Sequence, residues 1–358
     1  MLQLILNPGS LSTKLALFDD ETCLVQENVE HDQETLRAFD TLPDQVPFRL
    51  QIVRQFMEKN NVTGGQLNAV IGRGGLVYGL HTGGYAVTDE LCRALTDREY
   101  SQMHASNLGG LMARELAKQY GLPAYIYDAV TSGDLPEVAR ITGLPDIRRH
   151  SFCHVLNSRA MAMRYAREQG RRYEDMTLIV AHLGSGISLS AHRDGAIVDS
   201  IGDDEVQFSP ERIGGLPVQE LVRLCYSGKY TEKEMTRFLR GGGGMTAYLG
   251  TGDCRIVERR ITAGDRKAEQ VFRAMAYTVV KAIGELAAVL RGGCEAIILT
   301  GGLAYSQPLT DLIRSAVEWI APVAVLPGEN EMQALAQGGL RILRGEEQAR
   351  EYHFSDKD

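Results

Sequence analysis

The sequence predicts an α/β protein made of two similar domains, and three observations predict it. Residues 2–19, LQLILNPGSLSTKLALFD, read as a strand, a tight Asn7-Pro-Gly-Ser10 turn and a second, alternating strand closed by Asp19-Asp20. The pattern returns at 178–200 as LIVAHLGSGISLSAHRDGAIVDS; with Asn7 set on His182, Gly9 falls on Gly184, Ser10 on Ser185 and Asp19 on Asp194. Each half also holds a short apolar run ending in glycines, Ala69-Val-Ile-Gly-Arg-Gly-Gly75 and Ala296-Ile-Ile-Leu-Thr-Gly-Gly302. A repeat at this long spacing signals two related domains, not a solenoid.

The first hairpin has a chemistry of its own. Gly9 allows close backbone approach, and Ser10, Ser12, Thr13 and Lys14 bring three hydroxyls and an ammonium to its mouth, a set suited to phosphate oxygens. An ordinary polar hairpin would read the same way once. Two in register favour a pair of phosphate-facing turns.

Taken in order, residues 22–30 supply a third strand. Residues 45–60 form a helix with Val46, Leu50, Val53, Phe56 and Met57 on one side, ended by Asn61 and Gly64-Gly65. The strand at 69–71 runs into Arg73, an arginine between glycines that can fork onto a carboxylate or a phosphate, or serve as a plain surface residue. A helix at 106–119 precedes a strand, Pro123 to Tyr127, that delivers Asp128 at its C-terminal end, where α/β sheets hold ligands. Asp134, before Pro136, is the better helix cap. Gly143, Pro145 and a basic cluster mark a boundary near 143–152, giving domains 1–147 and 148–329. A helix starts at His154, and the second hairpin follows it. Phe208 to Arg212 reads as a polar loop, and Arg240-Gly-Gly-Gly-Gly244 as a hinge or a ligand-hugging turn. A long helix covers 266–290. The last, 330–344, carries an apolar face and a capping box from Asn330 and Gln333.

Composition narrows the function. The 358 residues are 44% hydrophobic and 23% charged, and allow two substantial cores. A formal charge of −8 and a pI near 5.6 argue against a nucleic-acid surface. Six scattered cysteines without a CxxC pair fit a reducing compartment. No apolar stretch approaches the ~20 residues of a membrane span, and the chain enters a strand after one residue, so no leader and a cytoplasmic location are expected. There is no Walker A motif, no Rossmann fingerprint continued by a helix, and no GxSxG elbow. His31 and His353 read as solvated surface residues, whereas His154 and His182 stand at element ends beside the glycine turns. Phosphate-holding turns, two arginines, a strand-end aspartate and two histidines without an activated nucleophile suit phosphoryl transfer, which needs positioning and charge neutralisation.

Asn7-Pro-Gly-Ser-Leu-Ser-Thr-Lys14, His182-Leu-Gly-Ser-Gly186, Leu299-Thr-Gly-Gly302 and Pro327-Gly-Glu-Asn-Glu-Met332, in this order over the whole chain, resemble the successive signatures of the acetate/butyrate kinase family. Phe208 to Arg212, the tetraglycine run, Gly250-Thr-Gly-Asp253 and the modest length resemble its butyrate branch. The resemblance implies duplicated actin-like (ribonuclease H-like) domains with ATP in a cleft between them, the C-terminal helix 330–345 completing the first domain. It implies reversible, direct in-line phosphorylation of a short carboxylate, butyrate or a branched homologue, by ATP with Mg²⁺, in a homodimer or higher homo-oligomer. An acetate or propionate kinase and a non-catalytic actin-like nucleotide binder are the alternatives.

Carried over by position, the resemblance makes Asn7 and Glu331 the Mg²⁺ holders and lines the phosphoryl site with Ser10, Ser12 and Lys14. Arg73 would bind the carboxylate or the moving phosphoryl group. Asp128 would orient the carboxylate or the metal, and His154 would donate to the transition-state oxygens. His182 with Gly184, Ser185 and Gly186 would support the polyphosphate, and Asp253, Arg255, Gly301 and Gly302 would contact the nucleoside. Two departures stand out: Ser185 replaces the asparagine of acetate kinases, and the segment carrying their second active-site arginine is missing. Arg212 is its substitute by loop position. Gly75, Cys153 and Ala105 are smaller than the residues expected around an acetate methyl, which predicts a roomier acyl pocket that Gly75→Val would shrink.

Overall fold

A computed structural model describes residues 1–357, in two units: residues 1–132 joined by the chain from Asn330 on, and residues 133–329. The first is built on a six-stranded sheet of β1 (Leu2–Pro8), β2 (Ser12–Asp19), β3 (Thr22–Glu30), β4 (Ala69–Arg73), β5 (Gly84–Ala86) and β6 (Ala124–Tyr127), ordered β3-β2-β1-β4-β6-β5. β1 pairs antiparallel with β2 and parallel with β4, and β4 is parallel to β6. Alternation decides the faces. Leu4, Leu6, Leu15, Leu17 and Val70 join one core with Leu50, Val53 and Phe56 of the helix Val46–Lys59 and Leu108 and Met112 of the helix Asn107–Tyr120. The helix Glu331–Leu343 lies close against the sheet as well. A Cβ at Gly338 would stand 2.5 Å from the Tyr127 ring and one at Gly339 2.6 Å from the Ile71 side chain, so only glycines permit this approach.

The second unit holds β7 (Leu178–Leu183), β8 (Ile187–Arg193), β9 (Ala196–Ile201), β10 (Ala296–Gly301) and β11 (Val323–Pro327), ordered β11-β10-β7-β8-β9. Read from the other edge this matches β3-β2-β1-β4-β6, with the same antiparallel hairpin followed by parallel strands. Both β2–β3 and β8–β9 carry a register irregularity, between Leu17 and Phe18 and between Ala191 and His192. This is the duplicated actin-like arrangement. Ile179, Ala181, Ile297 and Leu299 face the long helix Arg266–Val289, whereas Leu178, Val180, Ala296 and Ile298 face the helix Val155–Glu168. No helix among the described residues is long and apolar enough to cross a membrane.

Several local expectations need correction. The division falls at Ser132/Gly133 rather than 147/148, because the intervening segment is tied to the second unit. Asp134 N–H donates to Ile197 O of β9 (2.9 Å), and Arg149 donates both to Ala139 O (2.8 Å) and to Ser200 O (2.7 Å). The helix Glu137–Arg140 has Pro136 as its N-cap, with no side-chain cap bond. Asn330 precedes the last helix without capping it, since the chain enters there at φ −111° and ψ 53°. His31 is buried, its Nε2 2.7 Å from Thr13 Oγ1. The second half of the tetraglycine run is packed in place, since a Cβ at Gly244 would meet Ser209 O and one at Gly243 Phe238 O (2.3 Å), whereas Gly241 is open.

Candidate functional site

In the first unit, parallel pairing sets the ends of three strands side by side. Leu6 is opposite Gly72, and Arg73 is opposite Tyr127, so Asn7, Arg73 and Asp128 emerge on one edge of the sheet. Glu331 joins them from the first turn of its helix, where a carboxylate is favoured by the helix dipole. Asn7 Nδ2 donates to Glu331 Oε2 (2.8 Å), and Arg73 Nη1 pairs with Glu331 Oε1 and lies 3.5 Å from Asn7 Oδ1. Burial alone would push the Glu331 carboxyl up. The Arg73 charge and hydrogen bond, the Asn7 amide and the Lys14 charge override it and hold the pKa at about 2.

Asp128 is buried, sits at φ +43°, and is clamped by Gly83, whose N–H donates to Asp128 Oδ1 (2.8 Å) while its carbonyl accepts from Asp128 N–H (3.0 Å). A non-glycine residue held in this conformation marks a place where the backbone is over-determined. Ser10 and Lys14 are exposed and Ser12 half-buried at the mouth of the β1–β2 hairpin, whose turn is closed by Gly9 N–H donating to Ser12 O (2.8 Å).

The second unit carries the imidazoles. His154 and His182 stack with centroids 3.9 Å apart and planes 8° from parallel. Ser188, on β8, holds His154 through both its backbone N–H (3.0 Å) and Nδ1 (2.7 Å). Asn157, one helical turn after His154, donates from Nδ2 to His182 Nδ1 (2.9 Å), so the ring proton stands on Nε2, 3.1 Å from Glu329 Oε1. The glycine turn follows: Gly184 N–H donates to Gly186 O (3.1 Å), and a Cβ on Gly184 would lie 3.2 Å from His182 Nε2. Ser185 O accepts from Ser209 Oγ (2.6 Å) and Glu211 N–H (3.2 Å), which seats the 208–212 loop on this turn. Arg212 is thereby placed by Gly186 and paired with Asp203 (3.1 Å). Gly301 (φ +87°) has room for no side chain, since a Cβ would meet Leu183 O at 2.4 Å; Gly302 is open.

Asp253 and Arg255 are bound to each other. Asp253 caps the helix Cys254–Thr262 through Arg255 N–H (2.9 Å) and pairs with the Arg255 guanidinium (2.7 Å), which holds the Asp253 carboxyl at about 2. That helix is tied by Glu258 to Ser306, just past Gly302. The acyl-pocket expectation fails at Gly75. A Cβ there would stand 2.5 Å from Leu95 and 2.6 Å from Asn107 Oδ1, so the glycine is a packing requirement rather than a vacant slot. Cys153 is a core residue packed with Val155 and Ile197. Residue patterning did not single out Glu329, Asn157, Ser188 or Asp203. Asn157 carried a readable signal, lying on the same helical face as His154.

A sequence profile of the Acetokinase family matches residues 142–321. The chain is 45% identical over 351 residues to Butyrate kinase 1 of Clostridium acetobutylicum, covering 98% of this chain and 99% of that one. It is 46% identical over 350 residues to Probable butyrate kinase 2 of Caldanaerobacter subterraneus subsp. tengcongensis, with the same coverage. In three dimensions it resembles Porphyromonas gingivalis acetate kinase, with a TM-score of 0.78 at 18% identity over 96% of this chain and 99% of that one. A propionate kinase from Francisella tularensis gives 0.73 at 18% identity over 94% and 98%. The shared fold and the near-complete match to two relatives lead to one conclusion: the chain belongs to the acetokinase family.

Proposed function

We propose that this chain is a butyrate kinase, which transfers the γ-phosphoryl group of ATP reversibly to butyrate or a branched homologue. A carboxylate oxygen bonds to the γ-phosphorus while the bridging P–O bond breaks, and ADP leaves with the electron pair. Carboxylic acids are ionised at neutral pH, so no general base is needed. The work left to the protein is holding and neutralising charge.

The observation that carries this reading is the Asn7–Arg73–Glu331 group at adjacent element ends, in a chain so close to a named butyrate kinase. Arg73 takes the substrate carboxylate or the moving phosphoryl group, and Asp128, fixed by Gly83, orients the acceptor. Asn7 and Glu331 fit Mg²⁺: an amide oxygen and a carboxylate held ionised despite burial are hard donors for an ion that keeps most of its water. Bound there, Mg²⁺ would supply charge neutralisation to the phosphates. Ser10, Ser12 and Lys14 line the phosphoryl site. In the second unit His154, oriented by Ser188, donates to the phosphoryl oxygens in the transition state, and Arg212 adds a second guanidinium. His182 and the Gly184–Ser185–Gly186 turn hold polyphosphate, and Asp253, Arg255, Gly301 and Gly302 contact the nucleoside.

The same reading makes the two units its two domains and the protein a cytoplasmic homodimer, which fractionation and sedimentation would check. Hydroxylamine trapping of acyl phosphate from Mg-ATP and acids of two to six carbons tests the substrate. At about 0.8 kcal/mol for each methylene buried, two more than acetate favour butyrate by roughly 10-fold in kcat/KM. A maximum at acetate would make this an acetate kinase instead.

A further inference from the structure

Behind the first hairpin lies a cation that the reaction above does not use. Arg49, on the helix Val46–Lys59, is fully buried beside Leu50, Val53 and Phe56, where an apolar residue would satisfy packing. Its guanidinium donates to Ser12 O (2.8 Å), Thr13 Oγ1 (3.0 Å), Ser10 O (3.4 Å) and Gln45 Oε1 (3.0 and 3.2 Å). Every one of these partners is neutral, and burial drives the group down to about 10. A buried charge without a counterion works against stability and calls for another reason to be there.

The contacts supply that reason. Ser10 and Ser12 are the hydroxyl residues of the phosphate-facing turn. A trans peptide points its C=O and the following N–H in opposite directions, so drawing Ser10 O inward aims the Leu11 N–H outward. Among the described residues, neither Ser10 N–H nor Leu11 N–H has a protein acceptor. Two such amides over a buried positive charge form a concavity suited to an anion. His31 completes the brace, with its ring on Thr13 Oγ1 and its N–H on Leu11 O (2.8 Å).

We propose that Arg49 is a positioning residue for phosphoryl transfer: it locks the Gly9–Ser12 turn with its amides outward and lends the turn an uncompensated positive charge that attracts polyphosphate. The inference rests on the kinase reading above. Gln45→Glu tests it, because it hands Arg49 the carboxylate it lacks without touching the turn. A purely structural arginine gains from the new ion pair, whereas a charge working on phosphate is quenched by it.

The expected result is an unchanged or higher melting temperature with KM for Mg-ATP raised roughly fivefold and KM for butyrate within about twofold of wild type. Arg49→Lys, which keeps the charge but loses the fork, should lower kcat with little change in KM for butyrate. If Gln45→Glu leaves KM for Mg-ATP as in wild type, or raises both KM values equally, the inference is overturned whatever the melting temperature does. Titration with a non-hydrolysable Mg-ATP analogue reads the same affinity change without turnover. A wild type that binds the analogue but makes no acyl phosphate fails the kinase reading alone, and the titration of Gln45→Glu then decides the role of Arg49. A wild type that binds no nucleotide overturns both.

Discussion

Replacing Glu331 with glutamine removes the charge that holds the first group together while keeping the shape of the side chain. Glu331 pairs with Arg73 and accepts from Asn7, and its pKa falls from 4.5 to about 2 on folding despite the opposing effect of burial. At about 1.36 kcal/mol per pH unit that interval corresponds to roughly 3 kcal/mol, an upper value for a pair still partly open to water. Because the folded pKa lies below the unfolded one, the contribution is complete above about pH 4.5 and is lost as pH falls towards 2. Glu331→Gln should therefore cost about 2–3 kcal/mol at pH 7, including the penalty of leaving Arg73 against a neutral partner. The gap should narrow as the pH falls, keeping roughly three quarters of its size at pH 4 and under half at pH 3. The only tryptophan, Trp319, lies in the other unit, so urea unfolding is best followed by far-ultraviolet circular dichroism at pH 7, 5, 4 and 3. A gap under about 0.5 kcal/mol at pH 7, or one that persists undiminished at pH 3, would refute the reasoning.

Two further outcomes follow from the geometry. Gly75→Val forces a side chain onto Leu95 and Asn107, whose Oδ1 accepts the Leu76 N–H (3.0 Å), so it should lower the melting temperature by several degrees while leaving the butyrate-to-acetate ratio of kcat/KM unchanged; a shifted ratio at unchanged stability would restore the pocket reading. Asn157→Leu removes the donor that fixes the His182 ring, and should lower kcat about 10-fold with KM for butyrate nearly constant; kinetics equal to wild type would show that His182 needs no orienting partner.

What could be read in the sequence was what depends on local chemistry. The Asn7–Lys14 turn, its echo at His182–Gly186 and the glycine-ended strands all declare themselves through neighbouring residues, and the two sheets follow that repeat. What stayed hidden depends on contacts distant in sequence. Arg49 stands in the middle of an apolar helix face and looks like an outward-facing exception until Ser10 and Ser12 are seen beneath it. Gly75 looks like a turn or a vacancy because the Asn107 that excludes a side chain lies beyond the next helix. His31 reads as solvated because Thr13 meets it only across the β2–β3 pairing. The unit boundary is displaced for the same reason, since residues 133–147 are held to β9 by Asp134 N–H and by Arg149, which bonds both Ala139 and Ser200, and not by their own composition.

The most direct test of the central claim is hydroxylamine trapping with wild type and Arg73→Ala side by side. Arg73 is the cation placed between Asn7 and Glu331, and the reading gives it the carboxylate or the moving phosphoryl group. Folded wild type given Mg-ATP and butyrate should form butyryl hydroxamate, and folded Arg73→Ala should form at least about 100-fold less, the loss expected for removing a charged transition-state contact. Wild type forming no more hydroxamate than Arg73→Ala would contradict the account.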